Sequence, residues 1–418
     1  MTAAKDLAAR FPSDFQFGVA TASYQIEGAA KEDGRKPSIW DAFSHMPGRV
    51  YSGHTGDVAC NHYHLWESDL DLIASLNMDA YRFSIAWPRV IPDGRGSINQ
   101  RGLDFYDRLI DGLVERDIKV FPTLYHWDMP LMLQGYGGWT NRDTAEAFAE
   151  YTTAVVARLG DRIDALATFN EPWCSVYLGH LAGKHAPGEQ CLEAALAAAH
   201  VTNLAHGLGV QAARAERSDM PVGTVLNAVS IYPGSDSAAD VAAAERAFQF
   251  NNGVFFGPIF SGAYDNDFNE ALGHHLKVQA GDMAVINQPL DWWGFNYYSP
   301  ETVVDSTLTD DVFPAVEKVD STDSGERTDI GWEIKAEGLS HLLRMVYDRY
   351  TNLPPCFITE NGACYNMGVG EDDEVDDQPR LDYLHSHLSV VADALDENIP
   401  IKGYFAWSLM DNLSLIHI

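Results

Sequence analysis

The sequence is poor in basic residues. It has 28 lysines and arginines against 60 aspartates and glutamates in 418 residues, a formal net charge of −32. Such a chain repels phosphate groups, which argues against binding to nucleic acids and to anionic membrane surfaces. A solvated acidic surface accounts for the charge, and adaptation to salt is the alternative. A homo-oligomer stays compatible with the sequence.

Cysteines are few, and long apolar runs are absent. The five cysteines are Cys60, Cys174, Cys191, Cys356 and Cys364. Their odd number, irregular spacing and lack of a CxxC pair argue against a disulfide framework or a zinc site. Residues 1–14 lack the apolar segment of a signal peptide, and no run is long enough to span a membrane. We therefore predict a cytoplasmic protein with reduced thiols.

Linkers and metal-ligand patterns are also missing. No Pro/Gly/Ser-rich segment divides the chain, and aromatic residues occur from end to end. We therefore predict one domain over residues 1–418, with a sizeable core because 46% of the residues are hydrophobic. His62 and His64, like His385 and His387, form HxH pairs without a nearby third ligand, so we expect no metal and no cofactor.

Eight short apolar segments are separated, in most cases, by segments whose apolar residues recur at helical spacing. These strand candidates span residues 14–23, 80–86, 119–125, 165–169, 222–229, 292–296, 356–359 and 401–406. Several are apolar on both faces, as buried parallel strands are. The alternation predicts an α/β fold, a (β/α)8 TIM barrel. A doubly wound open sheet is the alternative, but no Gly-rich phosphate turn follows the first strand. The polar residues 301–330 and 371–377 predict surface loops.

Polar and aromatic residues gather at the predicted strand ends. They are Gln25, Arg82, His126, Trp127, Asn170, Glu171, Asn296, Tyr298, Glu360 and Trp407. In a barrel these ends meet at one face, where active sites lie. Two carboxylates on separate strands suit acid/base cleavage of a glycosidic bond. Indole faces suit the apolar face of a sugar, while Gln, His and Asn side chains bond its hydroxyls.

Six motifs make the chain resemble the β-glucosidases of glycoside hydrolase family 1 from Phe15 to Asn412. The motifs are Phe17-Gly-Val-Ala-Thr-Ala-Ser-Tyr-Gln-Ile-Glu-Gly28, Tyr81-Arg-Phe-Ser-Ile-Ala-Trp-Pro-Arg89, Tyr125-His-Trp-Asp-Met-Pro130, Thr168-Phe-Asn-Glu-Pro172, Gly294-Phe-Asn-Tyr-Tyr298 and Ile358-Thr-Glu-Asn-Gly362. The resemblance implies a retaining β-glucosidase that acts on cellobiose, short cello-oligosaccharides and aryl β-glucosides. It leaves open the preference among glucosides, fucosides and galactosides.

The resemblance also implies residue roles. Glu171 matches the acid/base and Glu360 the nucleophile, with Arg82 beside the nucleophile to favour its charged form. The positions that match the sugar pocket are Gln25, His126, Asn170 and Trp407, with Tyr298 on the nucleophile and Asn296 beside it. We also expect Trp127 to contact substrate. Trp173 and Trp332 match the aglycone side, and Leu178 lies near the entrance.

The C-terminal segment departs from the family after Asn412. The family normally continues Phe-Glu-Trp-Ala and a last helix, whereas here Leu413-Ser-Leu-Ile-His-Ile418 follows. A glutamate that accepts hydrogen bonds from two glucose hydroxyls falls at Ser414, and the next tryptophan falls at Leu415. We therefore expect a truncated or aberrant C-terminus and a barrel without its last helix. A 6-phospho-β-glucosidase and a sugar-binding remnant without activity are the alternatives.

Overall fold

The computed structural model describes residues 2–307, 313–321, 325–370 and 374–413. The strands in these ranges are, in chain order, β1 (Gln16–Ala20), β2 (Ala80–Ser84), β3 (Lys119–Tyr125), β4 (Leu166–Asn170), β5 (Val222–Asn227), β6 (Ile231–Pro233), β7 (Trp293–Asn296), β8 (Glu301–Asp305), β9 (Val316–Val319), β10 (Cys356–Asn361) and β11 (Ile401–Trp407). Eight of them close a barrel in the order β1-β2-β3-β4-β5-β7-β10-β11.

All neighbouring pairs in the barrel are parallel, including the closing pair β1 and β11. Each of the eight predicted apolar segments contributes one barrel strand, so the TIM-barrel prediction is confirmed and the open sheet is wrong. Strands β2, β3 and β4 are buried along nearly their whole length, because helices cover the barrel outside and side chains fill it inside.

Helices surround the barrel. The α-helices of the described ranges are α1 (Thr2–Ala8), α2 (Ser23–Ile26), α3 (Ile39–Ser44), α4 (His62–Ser75), α5 (Trp87–Val90), α6 (Gln100–Val114), α7 (Leu131–Gln134), α8 (Asp143–Leu159), α9 (Leu192–Glu216), α10 (Ala238–Phe248), α11 (Val254–Phe256), α12 (Asn266–Leu276), α13 (Asp282–Ile286), α14 (Glu337–Arg349) and α15 (Gln378–Asp396). Short 3₁₀ turns occur at Tyr51–Gly53, Gly138–Thr140 and Gly160–Arg162, and π-helical turns at Cys174–Leu181, Gln249–Gly253 and Gly257–Ser261. None of the described helices is long and apolar enough to cross a membrane.

The helices pack by one apolar face. In α6, Leu103, Tyr106, Ile110 and Leu113 recur at spacings of three and four residues, and all four are buried.

The strand β11 is the last element that the structure describes. The predictions for Ser414 and Leu415 lie outside the described residues.

The prediction of one long surface loop over residues 301–330 is partly wrong. Strand β8 pairs in parallel with β6 and antiparallel with β9, which makes a small three-stranded sheet beside the barrel. Val303 in β8 is fully buried. Burial of this valine and pairing of the backbone outweigh the acidic composition that favoured a loop. Residues 308–312 and 322–324 of the predicted loop lie outside the described residues, as do residues 371–373 of the second loop.

Aromatic rings fill the barrel interior below the strand ends. Phe121 on β3 contacts Phe357 on β10 and Phe405 on β11, with ring centroids 5.5 and 5.1 Å apart. Since β3 is not a neighbour of either strand, these contacts cross the barrel interior. Small residues make room for the rings: a Cβ atom on Gly18 would lie 2.5 Å from the Phe405 ring. This packed floor fixes the position of the strands whose ends carry the polar residues.

A buried ion pair ties the first strand-end segment to the second. Arg89 donates from Nε and Nη2 to Glu27 Oε2 at 3.0 and 2.9 Å, and Tyr106 donates to Glu27 Oε1 at 2.6 Å. The side chains of Arg89 and Glu27 are 0% and 5% exposed. A buried ion pair stabilises the folded state little more than apolar residues of similar size would. Loss of one partner, however, leaves an uncompensated buried charge.

We predict that Arg89→Met lowers the free energy of unfolding by about 3–5 kcal/mol, because Glu27 then stays buried without its cation. The measurement is urea denaturation followed by circular dichroism. Arg95→Met is the matched control: Arg95 pairs with Glu146 and Glu150 at the surface, so its loss should cost less than about 1 kcal/mol. Equal small losses in both variants would contradict the prediction.

Candidate active site

The barrel brings the predicted strand-end residues to one place. Asn170 ends β4 and Glu171 follows it, Asn296 ends β7, Glu360 lies near the end of β10, and Arg82 lies in β2. The structure joins these five side chains in one hydrogen-bonded network. All five are buried, Glu171 with 7% and Glu360 with 3% exposure.

Arg82 holds the glutamate of β10. Its Nη1 donates to Glu360 Oε1 at 2.7 Å and to the carbonyl oxygen of Thr359 at 3.2 Å. The Tyr298 hydroxyl donates to the other carboxylate oxygen, Glu360 Oε2, at 2.7 Å. Both oxygens of Glu360 therefore accept a hydrogen bond, and one of these bonds comes from a buried cation. This arrangement favours the ionised carboxylate and fixes its orientation.

Asn170 is the centre of the network. Its Oδ1 accepts from Arg82 Nη2 at 2.7 Å and from Asn296 Nδ2 at 3.0 Å. Its Nδ2 donates to His126 Nε2 at 3.2 Å. The carbonyl oxygen of Asn170 accepts from Trp127 Nε1 at 3.0 Å. This one residue therefore positions groups from three other strands, β2, β3 and β7.

Glu171 turns into the site through an unusual backbone conformation. Its φ is +45°, in the left-handed region that few residues other than glycine adopt. The Glu171 amide donates to the carbonyl oxygen of Val225 at 2.9 Å, so the turn stays tied to β5. Asn296 Nδ2 donates to Glu171 Oε1 at 2.9 Å. Backbone strain of this kind occurs where the surrounding structure places a functional side chain.

The two carboxyl groups have different electrostatic surroundings. Burial, and then the negative charge of Glu360, raise the pKa of Glu171 to about 7. Hydrogen bonds from Asn296 and Cys174 oppose this rise. Burial also raises the pKa of Glu360, but the charge and hydrogen bond of Arg82 oppose it. Since Arg82 bonds Glu360 directly, Glu360 is the group that ionises first and Glu171 the one that keeps a proton.

Two further side chains present polar atoms without a protein partner among the described residues. Burial lowers the pKa of His126 well below its usual range, so its ring is neutral, and its buried Nδ1 has no hydrogen-bond partner there. Gln25 Oε1 is likewise unpaired, whereas Gln25 Nε2 donates to Asn412 Oδ1 at 3.0 Å and to the Leu413 carbonyl oxygen at 2.8 Å. Such atoms suit the hydroxyl groups of a sugar.

Indoles surround this polar centre. The Trp407 ring stacks on His126 with centroids 5.6 Å apart, and Trp332 contacts the Tyr298 ring at 5.2 Å. Both indoles are half-buried and so present a face to a ligand. Trp127 is only 6% exposed and packs behind His126, with ring centroids 4.7 Å apart. Its predicted contact with substrate stays a prediction, and its visible role is to hold Asn170 and His126.

The structure also adds residues that the sequence did not single out. The Cys174 thiol donates to Glu171 Oε2 at 3.1 Å. The spacing of three residues after Glu171, at the start of a helical turn, was the signal that could have revealed it. Asn251 Oδ1 accepts from the Trp173 Nε1 at 3.1 Å. These two residues are 78 positions apart, and no sequence pattern connects them.

The HxH pairs have other roles. His62 Nδ1 bonds Asp69 Oδ2 at 2.6 Å, and His64 Nε2 lies 3.2 Å from Glu32 Oε1. Within the described ranges, no group of three or more His, Cys, Asp or Glu side chains could hold a metal ion.

The geometry defines a class of chemistry. An ionised carboxylate beside a cation can attack an electrophilic carbon, and a neighbouring carboxyl group that keeps its proton near pH 7 can donate it to a leaving oxygen. The two groups share one network at the C-terminal face of a TIM barrel, with indoles around them. These features are typical of a glycoside hydrolase that works with two carboxyl groups.

Comparisons with known proteins agree with this class. The model of glycosyl hydrolase family 1 matches residues 7–417. A β-glucosidase from an Agrobacterium species is 60% identical over 413 residues, which cover 99% of this chain and 89% of that protein. β-Glucosidase A of Thermotoga maritima is 44% identical, and the match covers 96% of this chain and 90% of that protein. The structure of the virulence factor SghA in complex with its substrate analog salicin has a TM-score of 0.97 at 60% identity. The match covers 99% of this chain and 91% of that one.

The chain therefore belongs to glycosyl hydrolase family 1, and the predicted family is confirmed. It is a retaining glycoside hydrolase of the β-glucosidase type. The assignments of the individual residues remain predictions that rest on the geometry above.

We predict that Glu360→Gln lowers the pKa of Glu171 from about 7 by about one unit or more, because a like charge disappears and Arg82 loses its anion. Carbon-13 NMR titration of protein labelled at the glutamate carboxyl carbons measures this pKa, with Glu171→Gln to assign the signal. Glu150→Gln, at the surface, is the control and should leave it unchanged. A pKa of Glu171 that does not move in Glu360→Gln would show that the two carboxyl groups are not coupled.

Proposed function

We propose that this chain hydrolyses terminal, non-reducing β-D-glucosyl residues through a covalent glycosyl-enzyme, with Glu360 as nucleophile and Glu171 as acid/base. The observation that carries this proposal is the asymmetric carboxyl pair. Arg82 and Tyr298 hold both oxygens of Glu360, while Glu171 has a pKa of about 7. One group is thereby prepared to attack and the other to donate a proton.

In the first step, Glu360 forms a bond to the anomeric carbon as the bond to the leaving oxygen breaks. Glu171 transfers its proton to that oxygen. Glu360 is then a neutral ester, so the anion that raised the pKa of Glu171 is gone. The pKa of Glu171 falls, and the carboxylate can stay ionised as the second step requires.

In the second step, Glu171 accepts a proton from water as the water oxygen attacks the anomeric carbon. The bond from that carbon to Glu360 breaks, and the carboxylate returns to Arg82 and Tyr298. Two displacements at one carbon retain the β configuration. The buried donors on Glu360 also stabilise it as a leaving group, because they already point at the oxygens where charge develops.

The surroundings support a sugar pocket with an aromatic acceptor side. Gln25, His126, Asn170, Asn296 and Trp407 form the proposed pocket for the glucosyl ring. Trp332, beside Tyr298, and Trp173 form the proposed aglycone side, and Leu178, which is partly buried against the core, is proposed to lie near the entrance. Indole faces bind flat apolar groups and sugar rings. We therefore propose aryl β-glucosides, cellobiose and short cello-oligosaccharides as substrates, in keeping with salicin as the substrate analog of SghA.

The two alternatives have weaker support. The 6-phospho-β-glucosidase hypothesis depends on Ser414, which lies outside the described residues. The hypothesis of an inactive sugar-binding protein does not account for two intact, differently tuned carboxyl groups.

We also propose a cytoplasmic location, which is supported by five free cysteines. Cell fractionation tests this location. The homo-oligomer stays a prediction, which sedimentation velocity tests.

We predict that the 418-residue chain releases nitrophenol from p-nitrophenyl β-D-glucoside, and that Glu360→Ala lowers this release by at least about a thousandfold because no nucleophile remains. Absorbance of nitrophenolate measures the rate. Proton NMR of the first sugar released should show the β anomer. Equal release by the parent and Glu360→Ala would contradict the role of Glu360, and an α product would contradict retention.

We predict that Glu171→Ala slows the first step strongly for p-nitrophenyl glucoside and little for 2,4-dinitrophenyl glucoside. Dinitrophenolate is stable enough to leave without a proton, so the loss of the acid matters less. Stopped-flow measurement of the burst of phenolate separates this step from the second. Cys191→Ala, an exposed site, serves as the control for the substitution procedure. Equal losses for both leaving groups would exclude Glu171 as the acid.

A further inference from the structure

A cysteine touches the acid/base carboxyl group. The Cys174 Sγ lies 3.1 Å from Glu171 Oε2, and both residues are buried. The Cys174 amide also donates to the carbonyl oxygen of Glu171 at 3.0 Å, so a short helical turn fixes the thiol relative to the carboxyl group. This turn opens the π-helical segment Cys174–Leu181.

The other carboxyl oxygen accepts from a stronger donor, an amide. Asn296 Nδ2 lies near two acceptors, Asn170 Oδ1 and Glu171 Oε1, while the Thr359 hydroxyl donates to Asn296 Oδ1 at 2.7 Å. The amide nitrogen of Asn296 therefore faces Glu171 Oε1 and donates to it. Both carboxyl oxygens accept a hydrogen bond, but an amide is a stronger donor than a thiol, so the acid proton is less favourable on Oε1 than on Oε2. That proton belongs on Oε2, the oxygen that Cys174 contacts.

We propose that Cys174 is a positioning residue for the acid/base group: its thiol holds Glu171 Oε2 through a weak hydrogen bond and sets the pH at which Glu171 gives up its proton. The inference rests on the proposed role of Glu171.

A thiol suits this position for two reasons. Burial, and then the charge of Glu171, raise the pKa of Cys174 well above its usual range, so the sulfur keeps its proton and remains a donor. A thiol is also a weaker donor and acceptor than a hydroxyl. The thiol stabilises the carboxylate when Glu171 is ionised. When Oε2 carries the proton, the thiol competes little with the leaving oxygen for that proton.

The other groups around Glu171 come from different strands. Glu360 on β10 raises the pKa of Glu171, whereas Asn296 on β7 and Arg82 on β2 lower it. Tyr298, after β7, stays protonated because burial and the charge of Glu360 raise its pKa. None of these groups changes when only the side chain at 174 is replaced. A shift measured in such a variant therefore reports the donor at this position.

The test compares Cys174→Ser with Cys174→Ala by carbon-13 NMR titration of the glutamate carboxyl groups, with Glu171→Gln for assignment. Serine is a stronger donor and should lower the pKa of Glu171, and alanine donates nothing and should raise it, each by about half a unit. The alkaline limb of kcat/KM for p-nitrophenyl glucoside should move in the same directions. Cys191→Ala is the matched control and should cause no shift.

A lower pKa of Glu171 with serine and a higher one with alanine would support the proposal, since a change in packing has no reason to reverse between the two, and the reverse pair of shifts would overturn it. No shift, or two shifts of the same sign, would overturn it. The titration does not require turnover. An inactive parent chain with opposite shifts would overturn the proposed function and leave the contact's effect on Glu171 established, whereas an active parent without shifts would overturn the role of Cys174 alone.

Discussion

The site depends on one buried cation. Arg82 is 1% exposed and donates to Glu360, to Asn170 and to the backbone of Thr359. A buried charge without a partner costs several kcal/mol, so the fold and the ionised state of Glu360 stabilise each other. The carboxylate that we propose as nucleophile is therefore ionised and oriented by the same interaction that stabilises the arginine inside the barrel. A change that neutralises either partner alters both the chemistry and the stability of the strand ends.

The two glutamates differ in their electrostatic surroundings because their neighbours differ. Glu360 bonds a cation and a phenol, whereas Glu171 bonds an amide and a thiol. Neutral donors favour a carboxylate less than a guanidinium does, and burial disfavours the charged form of both groups. In the proposed mechanism, the charge of Glu360 keeps the proton on Glu171 until the glycosyl ester forms. The proposed covalent step thus itself produces the ionised Glu171 that the second step requires.

Rigid surroundings hold this arrangement in place. The aromatic contacts between Phe121, Phe357 and Phe405 cross the barrel below the site and link strands that are not neighbours. Above them, Trp127 and Glu171 both adopt positive φ at strand ends, which the hydrogen bonds to Asn170 and Val225 support. Positioning within a fraction of an ångström is what separates a productive carboxyl pair from two buried acids.

The sequence by itself determined the eight barrel strands, because apolar periodicity and strand length are local properties of the chain. It also placed Glu171 and Glu360 at strand ends, which meet at one face of any such barrel. It did not determine the pairing of β8 with β6 and β9, since pairing between distant segments outweighed their acidic composition. Only the tertiary structure showed the burial and the hydrogen bonds that distinguish the two carboxyl groups, and it revealed the contacts of Cys174 with Glu171 and of Asn251 with Trp173. These properties depend on distance and burial, which arise when segments far apart in sequence come together.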